Sequence, residues 1–107
     1  MKKLLLLGQL IRAGMDAGND GRFDDALFQL SQAETLARAL DRPLHVAKVH
    51  NNQGLVNAMA GNREAAMACF KRAEALAVET AGEGNVLQRA ILRNMDALAQ
   101  QETRKAA

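Results

Sequence analysis

The sequence predicts an all-α protein of about five helices, paired as antiparallel hairpins that stack into a short solenoid. Alanine and leucine supply most of its hydrophobic content of 49%, and the 107 residues include three Phe, one Pro and no Trp or Tyr. Strands favour β-branched and aromatic residues, so this composition predicts helix throughout. A pattern that occurs twice in the chain predicts the pairing of the helices.

The repeated pattern is a glycine, a second glycine seven residues later, then an alanine, a large apolar residue and another alanine. The first copy is Gly14, Gly21, Ala26, Leu30 and Ala33, and the second is Gly54, Gly61, Ala66, Phe70 and Ala73. Self-similarity at such a period is typical of repeat architectures, whose units bury their apolar faces against each other. Small residues at facing positions let two helices approach closely, while Leu30 and Phe70 fill the wider space beyond.

The first hairpin is predicted at about residues 3–40. Its first helix covers about Lys3–Ala17 and stops at Gly18–Asp20, residues that tolerate the left-handed conformation of a helix end. Its second helix begins near Arg22, with Asp24 and Asp25 in the first turn, where carboxylates complement the helix dipole.

The second hairpin is predicted at about residues 43–81, because Pro43 suits the first turn of a helix. Its first helix runs to about Ala60, a tight turn follows at Gly61–Asn62, and the next helix spans about Arg63–Thr80. Together with the helix that follows, the two hairpins are predicted to form a single domain at residues 1–101.

A fifth helix is predicted at about residues 85–101, after the break at Gly82–Gly84. Asn85 can cap this helix through its side chain. We expect it to cover the second hairpin, as the terminal helices of repeat arrays do. Residues 102–107 are predicted to be a frayed tail.

The N-terminus begins like a secretory signal, with lysines followed by leucines. Gln9 and Arg12 interrupt the apolar run and no clear cleavage site follows, which favours a helix of the domain instead. No run approaches the ~18 apolar residues that a membrane span needs.

Consecutive leucines point around a whole helix, so an end helix cannot bury them all, and a self-association surface is predicted at Leu4, Leu5, Leu6 and Leu7. The alternative is that some of them stay exposed in a monomer.

The hairpins resemble tetratricopeptide repeats, whose signature is a glycine on the first helix followed by Ala-x-x-x-Phe and a further alanine on the second. Ala13-Gly14 and Gln53-Gly54 match the first element through their glycines. The second element is matched by Ala26-x-x-x-Leu30 and Ala66-x-x-x-Phe70, and the further alanine by Ala33 and Ala73. The period of about 40 residues is similar to the longer variants of bacterial regulators and cell-polarity adaptors. The resemblance covers about residues 7–80 and implies a right-handed α-solenoid.

The resemblance also implies a non-catalytic protein-interaction module without a cofactor. Its concave groove, lined by the first helix of each hairpin and the fifth helix, would take a peptide or helix of a partner protein with apolar anchors and some acidic character. The expected groove residues are Ile11, Arg12, Met15, Lys48, Asn51, Asn52, Leu55, Met59, Arg93 and Asn94. Specificity is expected where the two copies differ.

Other functional classes have weaker sequence support. The net charge of +2 comes from scattered residues, which argues against nucleic acid, and no catalytic or phosphate-binding motif occurs. His45 and His50 are too far apart around a helix to share a metal. Lone Cys69 is expected to be a small apolar residue on a helix and fits a reducing compartment, and a cytoplasmic protein is predicted. The alternatives left open are a structural homo-oligomer, a fragment of a larger solenoid, and a helical DNA-binding regulator.

Overall fold

Residues 2–106 fold into five helices, which confirms the all-α fold class. The structure is a computed structural model that describes residues 2–106, and no strand occurs within that range. The helices are α1 (Lys2–Asn19), α2 (Phe23–Ala39), α3 (Pro43–Met59), α4 (Arg63–Ala81) and α5 (Val86–Ala106). Each helix packs against the next along the chain. Helix α5 continues past the predicted end at Gln101 to Ala106, and Ala107 of the predicted tail lies outside the described residues.

The first three connections share one backbone geometry. In each, the amide of the residue after the turn donates to a carbonyl five residues back, as Arg22 does to Ala17 at 2.8 Å and Asn62 to Asn57 at 2.8 Å. This bond belongs to the Schellman motif, in which one residue adopts the left-handed conformation. That residue is Gly21 (φ 81°), Asp41 (φ 53°) or Gly61 (φ 84°). Turns within a hairpin and between hairpins are therefore alike.

Asp41 should be the least favourable of these three turn residues, because only glycine adopts positive φ without a steric cost. Replacing Asp41 with glycine is expected to raise the free energy of unfolding by about 0.5 kcal/mol. Urea denaturation followed by circular dichroism measures the change. The reverse substitution at an equivalent turn, Gly21→Asp, is the matched control and should destabilise. A loss of stability in the Asp41 variant would mean that its side chain makes contacts worth more than the strain.

The core forms two clusters that meet at α3. Leu7, Leu30 and Val49 belong to the first, between α1, α2 and α3. Phe70 and Ile91 belong to the second, between α3, α4 and α5. Each cluster thus lies mainly between helices that follow one another along the chain, and Leu76 of α4 packs against both clusters.

The repeated glycines lie where the helices of a hairpin are closest. A Cβ atom added to Gly14 would lie 2.8 Å from Cγ of Leu30, and one added to Gly54 would lie 2.5 Å from two ring carbons of Phe70. The second helix of each hairpin presents fully buried alanines to the same interface, for example Ala26. The shared residues of the two copies therefore set the spacing of α1 from α2 and of α3 from α4.

Helix α5 is joined to α4 at its start and again at Leu98, about two turns before Ala106. The Asn85 side chain accepts a hydrogen bond from the Gln88 amide at 2.8 Å and donates to the Ala77 carbonyl at 3.0 Å, so it joins the end of α4 to the start of α5. Further along, the Arg63 guanidinium donates to the Leu98 carbonyl at 2.6 Å. No helix within residues 2–106 has the length and apolar character needed to cross a membrane.

Candidate functional site

Helices α1, α3 and α5 form one continuous surface of the molecule. Helix α3 contacts both α1 and α5, whereas α2 and α4 make no backbone approach to each other in the described part of the chain. The odd-numbered helices are thus drawn together while the even-numbered ones splay apart, which makes the α1–α3–α5 surface the inner one. We call this surface the inner face.

The inner face carries a recess between α1 and α3. It encloses about 360 Å³ and is lined by Leu4, Gly8, Ile11, Arg12, His45 and Lys48. A second recess of about 500 Å³ lies between α3 and α5, and its lining is mainly apolar: Leu44, His45, Lys48, Ala81, Asn85, Val86, Leu87 and Ala90. His45 and Lys48 line both recesses, so they stand on the wall between them.

A smaller recess of about 200 Å³ lies further along the groove between α3 and α5. Leu55 and Met59 line it from α3, and Asn94 lines it from α5. Together the three recesses contain six of the expected groove residues: Ile11, Arg12, Lys48, Leu55, Met59 and Asn94.

The other expected groove residues have different surroundings. Met15 is half-buried and packs against the first core cluster. Arg93 lines a separate cavity with Met67 and Asp96, between α4 and α5. Asn51 is buried and accepts a hydrogen bond from the Asn94 amide at 2.9 Å. Asn51 therefore helps to hold α5 against α3.

Asn52 differs from its neighbour because its side chain has no hydrogen-bond partner among residues 2–106. Only 8% of its surface is exposed. Neither polar atom of its side-chain amide is fully enclosed, so the amide retains contact with solvent. Asn52 follows Lys48 by one helical turn, which places it on the same side of α3.

The repeat explains why Asn52 has no partner. Asn94 of α5 corresponds to Asn52 of α3, and the residue that Asn94 contacts, Asn51, corresponds to Ile11 of α1. The equivalent pair between α1 and α3 is therefore Asn52 with Ile11, and an isoleucine side chain cannot accept a hydrogen bond. One substitution between the copies leaves a nearly buried amide available at the inner face.

A polar cluster lies on the opposite side of α3, in the crevice between α2 and α4. The Glu34 carboxylate accepts hydrogen bonds from Arg38 at 3.1 Å and Gln53 at 3.3 Å. The buried His50 ring lies 3.1 Å from the Gln53 side-chain oxygen and 3.8 Å from the Glu34 carboxylate. The hydrogen bond from Gln53 of α3 to Glu34 of α2 therefore joins these two helices.

The cluster gives the stability a defined acid dependence. Burial alone raises the pKa of Glu34, but the hydrogen bonds from Gln53 and Arg38, with the charges of His50 and Arg38, outweigh burial and hold the pKa below its ordinary value of 4.5. Because the pKa is lower in the folded state, the carboxylate's stabilisation is complete above pH 4.5 and is lost as the pH falls through the folded-state pKa.

Replacing Glu34 with glutamine is therefore expected to lower the free energy of unfolding by about 1 kcal/mol near pH 7, and by much less near pH 3. Urea denaturation at the two pH values measures the difference. Glu79→Gln, an exposed glutamate on α4, is the control and should have little effect at either pH. An effect of Glu34→Gln that is the same at both pH values would contradict this explanation.

Cys69 is a buried thiol beside this cluster. Burial raises its pKa despite the nearby Arg72 guanidinium, which donates a hydrogen bond to the sulfur at 3.3 Å. The thiol is therefore protonated and enclosed, unlike a nucleophilic cysteine. Across residues 2–106, no three or more His, Cys, Asp or Glu side chains converge on a possible metal site.

No protein-family model, curated protein or solved structure matches this chain. Its function is therefore inferred from its own residues. Among these, the inner face combines recesses, the cations Arg12 and Lys48, which form no ion pair within residues 2–106, and the Asn52 amide.

The leucines at the start of α1 divide between the core and the surface. Leu7 is fully buried and Leu4 packs against the first core cluster. Leu5 is 65% exposed and Leu6 is 46% exposed. Two of the four residues expected to mediate self-association are thus occupied by contacts within the chain.

Proposed function

We propose that the protein is a non-catalytic interaction module that binds a segment of a partner protein across its inner face. The observation that carries this proposal is the Asn52 side chain, which is nearly buried yet has no hydrogen-bond partner among the described residues. An unsatisfied amide in that environment costs about 1–3 kcal/mol unless a ligand or water satisfies it. A peptide backbone supplies both the donor and the acceptor that Asn52 needs.

The recesses on the inner face support the same proposal. They are open grooves between helices, and the apolar residues of their linings, such as Ile11 in one and Leu87 in the other, suit apolar side chains of a bound segment. The resemblance to tetratricopeptide repeats is consistent with this mode of binding, since their concave surface is formed by the corresponding helices.

Selection from a displayed random-peptide library, followed by chemical-shift mapping of the selected peptides, tests the proposal. We expect shifts at Lys48, Asn52 and Asn94, and at least about tenfold weaker binding to Asn52→Ala because a hydrogen-bonded amide is lost. Gln32→Ala, an exposed amide on α2, is the matched control and should bind normally. Binding that shifts only α2 and α4, or that Asn52→Ala leaves unchanged, would exclude the inner face as the site.

Self-association is a second candidate, favoured by the adjacent exposed side chains of Leu5 and Leu6. A two-fold dimer would bury these two leucines of both copies, four in all, which contributes at most about 6–12 kcal/mol before the cost of association. Sedimentation of the wild-type protein and of the Leu5→Gln/Leu6→Gln variant separates the possibilities. A wild-type monomer at high micromolar concentration rules out this candidate.

A further inference from the structure

We propose that the bound segment is an acidic peptide in the polyproline II conformation, with the order apolar-x-x-acidic-x-x-apolar. This inference rests on the proposed function and specifies its ligand. It follows from the position of Lys48, the lack of aspartate and glutamate in the linings of the two larger recesses, and the spacing of α1, α3 and α5.

Lys48 is the central feature of the inner face because both larger recesses share it. At the equivalent positions of the flanking helices stand Gly8 and Ala90. A Cβ atom added to Gly8 would meet nothing within 4 Å, so the space beside Lys48 on that side is open. One cation thus stands between two spaces that small residues leave free for apolar side chains.

The charge of Lys48 has no counterpart in the described part of the chain. Neither Lys48 nor Arg12 forms an ion pair there, and no aspartate or glutamate lines either recess. A ligand carboxylate would therefore meet uncompensated positive charge. Complementary charge of this kind steers a ligand and fixes its register.

The distances between helices select the conformation of the ligand. Packed helices lie about 8–10 Å apart, so Lys48 of α3 lies about one such spacing from its equivalents on the flanking helices, Gly8 of α1 and Ala90 of α5. A polyproline II helix repeats every three residues and rises about 3.1 Å per residue, which places every third side chain on one edge, about 9 Å from the next. In a β-strand successive side chains alternate between two faces, so a residue three positions further along would point to the opposite side.

Asn52 also favours this conformation over a bound α-helix. The backbone of a polyproline II segment has no internal hydrogen bonds, so its carbonyl and amide groups are free to pair with the Asn52 amide. An α-helix already satisfies its backbone groups apart from those at its ends. In an α-helical ligand, each of the three side chains would have to lie about seven residues from the next to match the same spacing. Such a ligand would leave Asn52 unpaired.

The test uses the peptide Leu-Pro-Pro-Glu-Pro-Pro-Leu, acetylated and amidated so that its only charge is the glutamate. Calorimetry should detect binding to the full chain that weakens with salt. Replacing the glutamate with lysine, or moving it by one position, should weaken binding at least about tenfold. The variant Lys48→Glu should reverse the preference and bind the lysine peptide better, whereas Lys71→Glu, on the exposed side of α4, should not.

The outcomes separate this inference from the proposed function. Equal binding of the acidic and basic peptides, or an unchanged preference in Lys48→Glu, would overturn the inference. Library peptides that bind the inner face through Asn52 but carry apolar and acidic residues seven apart would also overturn it, while the proposed function would stand. If no peptide bound the inner face, both would fail.

Discussion

Replacing Gly54 with alanine is expected to lower the free energy of unfolding by about 2 kcal/mol. The new Cβ atom would lie 2.5 Å from the Cδ1 and Cε1 atoms of Phe70. The Phe70 ring is 1% exposed and belongs to the core cluster shared by α3, α4 and α5, so it has no free space to move into. The two helices of the second hairpin would have to separate. Urea denaturation followed by circular dichroism measures the change.

Gly8→Ala is the matched control for this substitution. Gly8 is also in a helix, but its added Cβ atom would meet nothing within 4 Å. Alanine is favoured over glycine in a helix by about 0.5–1 kcal/mol, so this variant should be more stable than the wild type. In a Phe70→Leu background the cost of Gly54→Ala should fall, because the smaller side chain relieves the contact. Similar effects of alanine at Gly8 and at Gly54 would refute the close-approach explanation.

The sequence predicted the architecture well because the residues shared by the two copies are those that pack the hairpins. The facing positions of Gly14 and Leu30, and of Gly54 and Phe70, could be recognised from spacing alone. The turn at Asp41 was recognised only through Pro43, since its left-handed residue is not glycine. The end of α5 was placed too early because no helix-breaking residue marks the true end.

The site was less predictable because hydrogen bonding between helices depends on residues far apart in the sequence. Asn51 and Asn52 are adjacent and chemically identical, so nothing in their local sequence distinguishes them. Asn51 accepts a hydrogen bond from Asn94 of α5. In the equivalent pair between α3 and α1, Asn52 stands in place of Asn94 and Ile11 in place of Asn51. Comparison of the two copies at these positions could have revealed the difference, once the register of α5 was known.

The polar cluster around Glu34 was missed for a related reason. Glu34, His50 and Gln53 come from two helices, and no local spacing marks them as neighbours. Their only signal is that His50 and Gln53 fall on a side of α3 that packing encloses. Predicting the cluster would have required the relative rotation of α2 and α3, which only the packed structure provides.

Replacing Ile91 with aspartate is expected to have the largest effect on stability, lowering the free energy of unfolding by about 4 kcal/mol or more. Ile91 is fully buried in the second core cluster, so the substitution removes its packing and places an unpaired carboxylate against Phe70 and its neighbours. The adjacent Leu92→Asp is the matched control. Leu92 is 42% exposed, and its substitution should cost less than about 1 kcal/mol.

The damage from Ile91→Asp should be local, because Ile91 contributes to the second core cluster and not to the first. Hydrogen exchange should show lost protection in α5, with protection in α1 and α2 retained, because within residues 2–106 α5 contacts α3 and α4 but not α1 or α2. Loss of protection throughout the chain would instead mean that the five helices unfold as one cooperative unit.

Undocking α5 would also remove one wall of the larger recess on the inner face, which Val86, Leu87 and Ala90 supply. A peptide that spans Lys48 should then lose one of its two apolar contacts while keeping the recess between α1 and α3, so its affinity should weaken but its preference for an acidic residue should remain.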